Sequence, residues 1–165
     1  MEIVYSPLDA LRLAQENPTR QIVFVGVGFE TTTPLVAMAI KRARAMGLTN
    51  FTVYGAHKNM PGALEVIIND PALKLDALIL PGHVSTIIGA EPYRFLAEKY
   101  GIPGVITGFE PVDVLQGIAM IMRQLHEGRA EIEIAYARGV MPEGNPVALA
   151  AIDEVFETCS ATWRG

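Results

Sequence analysis

The sequence predicts a three-layer αβα fold with a mostly parallel sheet of about five to six strands, and two observations lead to it. Short apolar runs rich in Val, Ile and Phe alternate with longer segments of helical period along all 165 residues. Most of these runs are apolar on both faces, as is typical of parallel strands covered by helices on either side. We therefore expect one domain spanning residues 1–165.

Six segments have the length and composition of strands. They are IVYS at 3–6, QIVFVGV at 21–27, FTVYGA at 51–56, ALILP at 77–81, GVITG at 104–108 and EIEIAYA at 131–137. Six further segments have the length of ordinary helices. They are Pro7–Glu16, Thr32–Met46, Pro61–Asn69, Glu91–Tyr100, Pro111–Glu127 and Asn145–Thr158. The last strand alternates charged and apolar residues, which predicts a position at the edge of the sheet.

Two of the predicted helices begin with a proline signal. Thr33-Pro34 and Glu110-Pro111 each have the form of an N-cap residue followed by proline at the first helical position. The second of these helices is apolar on nearly every side between Val112 and Leu125, more than one buried stripe requires. We expect it to be central or to form part of an interface.

Composition excludes several classes of function. Thirteen Lys and Arg against eighteen Asp and Glu give a net charge of −5 without any block of like charges, which argues against a nucleic-acid-binding surface. The longest uncharged stretch, from Ala77 to Ala90, is too short for a membrane span and contains Pro81-Gly82. No basic leader or cleavage site occurs at the start, so the sequence favours the cytoplasm.

The single cysteine limits redox and cluster chemistry. Cys159 alone cannot form an internal disulfide, a CxxC pair or a thiolate-rich iron–sulfur site. Its position near the end of the last predicted helix favours the interpretation that Cys159 is a buried, small apolar residue.

Candidate binding residues gather at one edge of the predicted sheet. Ligands of open parallel sheets bind beyond the carboxyl ends of the strands, and four loops there combine glycine with polar groups. They are Gly26–Thr33, Gly55–Lys58, Pro81–Thr86 and Gly108–Pro111. Two of the three histidines, His57 and His83, and both Gly-Phe-Glu triplets lie in these loops. Such clustering indicates a site.

Each candidate has a competing structural interpretation. The loop Gly26–Thr33 is similar to half of a dinucleotide-binding loop, but its third glycine is replaced. Glu30 and Glu110 are also placed where a carboxylate could simply complement a helix dipole. His83 lies between Gly82 and Ser85 in a loop that approaches something closely, which favours function, whereas His57 is balanced between the two interpretations.

Three of these loops contain longer motifs, GFETT at 28–32, PGHVSTIIG at 81–89 and GFEPVDVLQG at 108–117. These motifs resemble the signature motifs of the HypD family of hydrogenase maturation factors. The agreement runs from IVYSPLDALRLAQENP at the start to the terminal Trp163-Arg164-Gly165. It implies a Rossmann-like, cytoplasmic scaffold that works with HypC. The resemblance also implies that iron receives its cyanide and carbon monoxide ligands on this scaffold, with the cyanide coming from HypE.

The resemblance also implies what this chain lacks. Full-length members have an N-terminal part with essential cysteines and a C-terminal part with a four-iron four-sulfur cluster, so this chain resembles the middle domain alone. Carried over by motif, His83 is the residue expected to face the iron, with weaker support for His57, whose loop departs from the family pattern. The other expected lining residues are Glu30, Thr31, Thr32, Ser85 and Glu110, on loops containing Gly28, Gly82 and Gly108.

We therefore interpret the chain as part of an iron-assembly scaffold that is not an enzyme on its own and holds no stable cofactor. Two alternatives stay open. One is a Rossmann-like enzyme that binds a nucleotide or small anion at Gly26–Thr33. The other is an interaction module that docks HypC or HypE through the apolar helix at Val112–Leu125.

Overall fold

The structure, a computed structural model, describes residues 1–162 and confirms a mixed α/β fold. The last three residues of the family resemblance, Trp163, Arg164 and Gly165, lie outside the described residues. The helices and strands follow each other in the order α1 Pro7–Glu16, β1 Ile22–Gly28, α2 Thr33–Ala45, β2 Phe51–His57, α3 Met60–Ile68, β3 Leu78–Pro81, α4 Gly82–Ile88, a 3-10 turn Glu91–Tyr93, α5 Arg94–Tyr100, β4 Gly104–Thr107, α6 Pro111–Glu127, β5 Ile132–Ile134 and α7 Pro146–Val155.

The chain divides into two compact units. The first unit contains Met1–Val27, Thr32–Ala56 and 147–162, and the second contains Gly28–Thr31 and His57–Pro146. Predicted site residues are therefore distributed over both units, with most of them in the second.

The first unit is built around β1, β2 and the helices α1 and α2. Strands β1 and β2 form a two-stranded sheet and begin together, since the Ile22 amide donates to the Asn50 carbonyl. The Asn50 side chain donates to three carbonyls at the end of α1 and just beyond it, which satisfies groups that a helix end leaves unpaired. The apolar core of this unit consists of Ala10, Leu11, Ala14, Ala39, Ala43 and Phe51.

The second unit contains a parallel sheet in the order β3-β4-β5. Leu78 pairs with Gly104, which pairs in turn with Ile132, so all three strands begin at the same level. Central strand β4 is buried at every position, as expected for a strand covered on both faces. Helix α6 packs on β4, and Gly117 permits this close approach because a Cβ there would collide with the Thr107 methyl group.

Several details of the sequence prediction are wrong. The expected single sheet of five to six strands is, in residues 1–162, a pair of sheets with two and three strands. Residues 3–6 form no strand, and the predicted loop after β3 is helix α4. The edge position of β5 is confirmed, although the strand has three residues instead of seven. Cys159 is exposed and lies beyond α7, not buried within a helix.

None of the described helices has both the length and the hydropathy needed to cross a membrane.

Candidate functional site

His83 lies on a sharp junction between β3 and α4. The strand ends at Pro81, the helix starts at Gly82, and His83 is its second residue with an exposed side chain. The junction is fixed locally because the Ser85 hydroxyl donates to the Pro81 carbonyl at 2.8 Å and the Thr86 hydroxyl donates to the His83 carbonyl at 2.7 Å. An imidazole is thus presented to solvent from a rigid backbone.

The loop between β4 and α6 lies against this junction. Its Phe109 ring packs edge-on against the His83 ring, with centroids 4.6 Å apart and an interplanar angle of 65°. Glu110 is the N-cap residue of α6, as predicted, but its side chain makes no capping hydrogen bond. Instead, the Asp113 carboxylate accepts from the Glu110 backbone N–H, as the third helical residue does in a capping box.

Two residues that the sequence did not indicate, Tyr136 and Arg138, complete this arrangement: the Tyr136 ring lies against Gly82 and Gly108, and Arg138 contacts the second loop and the start of α6. The Arg138 guanidinium donates to the two carboxylate oxygens of Asp113 at 2.7 and 2.6 Å and lies 3.4 Å from a Glu110 oxygen. Its hydrogen bond lowers the pKa of Asp113 and raises its own pKa. One sequence signal could have drawn attention to it: Arg138 is the single charged residue between Glu133 and Glu143.

Glu30 belongs to a second, buried polar group. Its side chain is 8% exposed, and one carboxylate oxygen accepts from the Met60 backbone N–H at 2.8 Å, which caps α3. The other oxygen makes no hydrogen bond with any described residue. Burial raises the pKa of Glu30, and the bonds from the Met60 and Glu30 amides offset part of that increase.

Tyr93 connects Glu30 to helix α4. This tyrosine is fully buried, its hydroxyl lies 3.5 Å from the Ser85 hydroxyl, and the charge of Glu30 acts on it. Burial is the main cause that raises the pKa of Tyr93 to about 12. Helix α4 therefore carries His83 on its exposed side and Ser85 on its buried side, close to Tyr93.

The remaining predicted residues occupy varied environments. Thr31 is exposed in the second unit, whereas Thr32 is the exposed N-cap residue of α2 in the first. His57 ends β2 and is half-buried, and burial lowers its pKa. Gly28 has a φ of 145°, a conformation that only glycine adopts readily. Contacts of Phe109, Tyr136 and Arg138 bring Gly82, His83, Gly108 and Glu110 together at one place.

The metal-ligating capacity of this arrangement is small. Residues 1–162 contain no group of three or more His, Cys, Asp or Glu side chains that could hold a metal ion. A four-iron four-sulfur cluster needs cysteine thiolates, and Cys159 is one exposed residue, so the residues present do not fit such a cluster. His83 contributes one exposed imidazole, a side chain that can act as a nitrogen ligand.

Fold and site together define an α/β protein whose candidate ligand-binding groups follow the carboxyl ends of parallel strands. The comparisons with known proteins make the class specific. The family model "HypD: Hydrogenase formation hypA family" matches residues 1–165, and the chain belongs to this family.

Curated relatives agree with this assignment. The chain is 52% identical to the hydrogenase maturation factor HypD of Rhodobacter capsulatus, 46% to that of Azotobacter vinelandii and 43% to that of Escherichia coli K12. All of this chain is matched in each case, against 44%, 45% and 44% of the relatives' own lengths. The chain thus spans less than half the length of these relatives.

Proposed function

We propose that this chain is the middle domain of a HypD and acts in the cytoplasm as part of the scaffold on which the iron, cyanide and carbon monoxide group of nickel–iron hydrogenase is assembled. The observation that carries the proposal is the exposed His83 side chain, which follows Gly82 and packs against Phe109 of the loop that contains Gly108, in a chain that matches the family over its whole length. The iron is a substrate here, and the missing ligands come from other parts of HypD or from HypC.

The residues of the site have distinct proposed roles. The imidazole of His83 binds the iron directly or donates a hydrogen bond to one of its ligands. Glu30, buried with one oxygen unpaired and a raised pKa, can hold a proton at a pH where an exposed carboxyl would have lost it. Glycine at positions 82 and 108 lets the Tyr136 ring pack against both loops, because a Cβ at either position would lie 2.9 Å from the ring.

A chimaera tests the proposal most completely. The matching segment of the Rhodobacter capsulatus HypD is replaced by this chain, and hydrogenase maturation is measured in cells that lack their own HypD. We expect maturation to be restored by the chimaera and lost when it carries His83→Ala. A folded, abundant chimaera that restores nothing contradicts the proposed function.

An iron titration tests the ligand role separately. The purified chain receives Fe(II) without oxygen, and binding is compared with that of His83→Gln and of His126→Gln, the control histidine at the end of α6. We expect Fe(II) binding to weaken with His83→Gln and not with His126→Gln.

A separate experiment attempts to reconstitute an iron–sulfur cluster in the chain. The chain should stay colourless, and a stable absorption band at about 400 nm with about four irons per chain would contradict this expectation.

Docking of HypC or HypE is a second proposed role, favoured by the exposed apolar face of α6. Val112, Leu115 and Met122 are 72%, 66% and 60% exposed, and Phe109, just before the helix, is 70% exposed. Several exposed large apolar side chains on one helix are typical of an interaction surface. The binding of purified HypC and of purified HypE should each be measured with Leu115→Lys and with Met122→Lys, and we expect both substitutions to weaken it. The control Val66→Lys places the same charge on α3, where the native side chain is 72% exposed.

A further inference from the structure

We infer that Tyr136 and Arg138, which follow β5, are positioning residues that hold the His83 junction against the Phe109 loop. We call these two residues the clamp. The inference rests on the proposed function, because the orientation of His83 affects function if His83 binds a ligand. The contacts that orient His83 all lie within the second unit.

Tyr136 lies between the two glycine loops. A Cβ at Gly82 would lie 2.9 Å from one ring edge, at Cδ1, and a Cβ at Gly108 would lie 2.9 Å from the opposite edge, at Cδ2. The same ring therefore contacts both backbones, and any larger residue at either position would displace it. The Tyr136 amide donates to the Ile106 carbonyl at 3.1 Å, which anchors the ring to central strand β4.

Arg138 connects the clamp to the start of α6. Its two hydrogen bonds to Asp113 are bidentate, a geometry that fixes direction as well as distance. The Asp113 side chain is 6% exposed and belongs to the first turn of the helix that follows Phe109 and Glu110. The guanidinium carbon also lies 4.6 Å from the centroid of the Tyr136 ring, within the range of a cation–π contact. The two clamp residues therefore support each other.

The segment that carries the clamp also holds the far end of α4. The Ala90 amide donates to the Pro142 carbonyl at 2.8 Å, and the Asn145 amide donates to the Ile87 carbonyl at 2.9 Å. Helix α4 is thus held near Gly82 by the Tyr136 side chain, and at its other end by two backbone hydrogen bonds, one at Ile87 and one at Ala90. Because His83 is the second residue of this short helix, its backbone has little freedom to rotate away from Phe109.

Nuclear magnetic resonance of the chain without iron tests the clamp directly. The chain has three histidines, so the ring protons of His83 can be assigned by their loss in His83→Gln. Phe109→Leu then defines the His83 shifts expected without the neighbouring ring. We expect Tyr136→Leu and Arg138→Gln to move the His83 signals towards those of Phe109→Leu. Tyr136→Phe keeps the ring and should leave them at their wild-type positions.

Arg129→Gln is the matched control, because Arg129 also pairs with carboxylates, those of Glu127, Glu131 and Glu133, away from the two loops. It should not move the His83 signals. If Arg138→Gln alone fails to fold because Asp113 is left buried without its partner, the double variant Arg138→Gln with Asp113→Asn replaces it. Folded variants whose His83 signals stay at wild-type positions would overturn the inference.

Iron binding then separates the two proposals. If the proposed function is correct, clamp variants should bind Fe(II) roughly tenfold or more weakly, as is usual when residues that orient a metal ligand are changed. If wild-type chain binds no iron while the clamp variants still move His83, the proposed function fails and the clamp stands. If wild-type binds iron and the variants neither move His83 nor weaken binding, the clamp fails alone.

Discussion

The triplet Gly-Phe-Glu occurs twice in this chain, and the two copies have opposite environments. In the first copy, Glu30 is 8% exposed, caps α3 through the Met60 amide and has a raised pKa. In the second, the Glu110 side chain is 76% exposed and lies 3.4 Å from Arg138. The glycines differ as well: Gly28 has a φ of 145°, whereas Gly108 has no positive φ but has Tyr136 and Asp113 against it.

The difference teaches that a repeated motif at the ends of strands need not mean a repeated role. The element that follows each triplet, and the distant segment packed on it, decide whether its carboxylate is a buried cap or an exposed group. The two triplets therefore offer paired substitutions whose outcomes should differ.

The largest effect is expected from the glycines. Gly108→Ala should lower the free energy of unfolding by about 1–3 kcal/mol, as overpacking does, because the new methyl group collides with Asp113 and approaches the Tyr136 ring. Gly28→Ala should cost a similar ~1–3 kcal/mol for a different reason, since alanine is strained at positive φ. Chemical denaturation of the purified chain measures both.

A second substitution distinguishes the two causes. Asp113→Ala removes the carboxylate that the methyl group meets at position 108, so it should relieve part of the loss caused by Gly108→Ala. It should leave the loss caused by Gly28→Ala unchanged, because that loss comes from backbone conformation. If Asp113→Ala reduced the stability losses of Gly108→Ala and Gly28→Ala equally, the proposed difference between the two glycines would be wrong.

A smaller effect is expected from the pH dependence of stability. The pKa of Glu30 is raised in the folded protein, so the folded state holds this proton more tightly than the unfolded chain does. Stability should therefore fall as the pH rises from the ordinary value of 4.5 through the raised value, and Glu30→Gln should flatten that decline.

Urea denaturation between pH 4 and pH 8 measures this profile. Glu110→Gln, which removes the same charge from the exposed triplet, corrects for the loss of one negative charge. An identical decline in wild type and Glu30→Gln would contradict the assignment of a buried, proton-holding carboxyl.

The smallest expected signal concerns nucleotides. The first triplet lies in Gly26–Thr33, where the third glycine of a dinucleotide loop is replaced, so we expect no tight binding of ATP or NAD. Calorimetry measures the affinity of the chain for ATP and for NAD. Low-micromolar affinity that Gly28→Val abolishes would favour the nucleotide-binding alternative instead.

Much of the fold follows from the sequence because its signals are local. Helix α1 has the predicted bounds, since Ser6 caps it and Pro7 begins it. The sequence predicts a loop where α4 lies, because helix signals are weak there: HVSTII is rich in β-branched residues, and Pro81 makes no side-chain cap. The start of α4 is fixed instead by the hydrogen bond from the Ser85 hydroxyl to the Pro81 carbonyl. Residues 3–6 have strand composition but find no strand partner among the described residues.

The site is harder to predict because its contacts are long-range. Glu30 caps a helix that begins 30 residues later, and Arg138 pairs with a carboxylate 25 residues before it. The sequence predicts Tyr136 inside a strand, whereas the strand stops at Ile134 and the Tyr136 ring lies against the two glycine loops. Neither spacing nor composition encodes such pairings, so the loops could be located but their organisation could not.

The central claim is that His83 is a working residue and not a structural one, and a paired measurement on His83→Ala tests it most directly. Denaturation of the purified variant should show a loss of less than ~1 kcal/mol, as is usual for exposed positions. The chimaeric HypD carrying the same substitution should fail to mature hydrogenase. A structural histidine would behave in the opposite way: stability would fall by about 2 kcal/mol or more, and maturation would return when the variant is stabilised by a lower temperature. That second pattern would contradict the account.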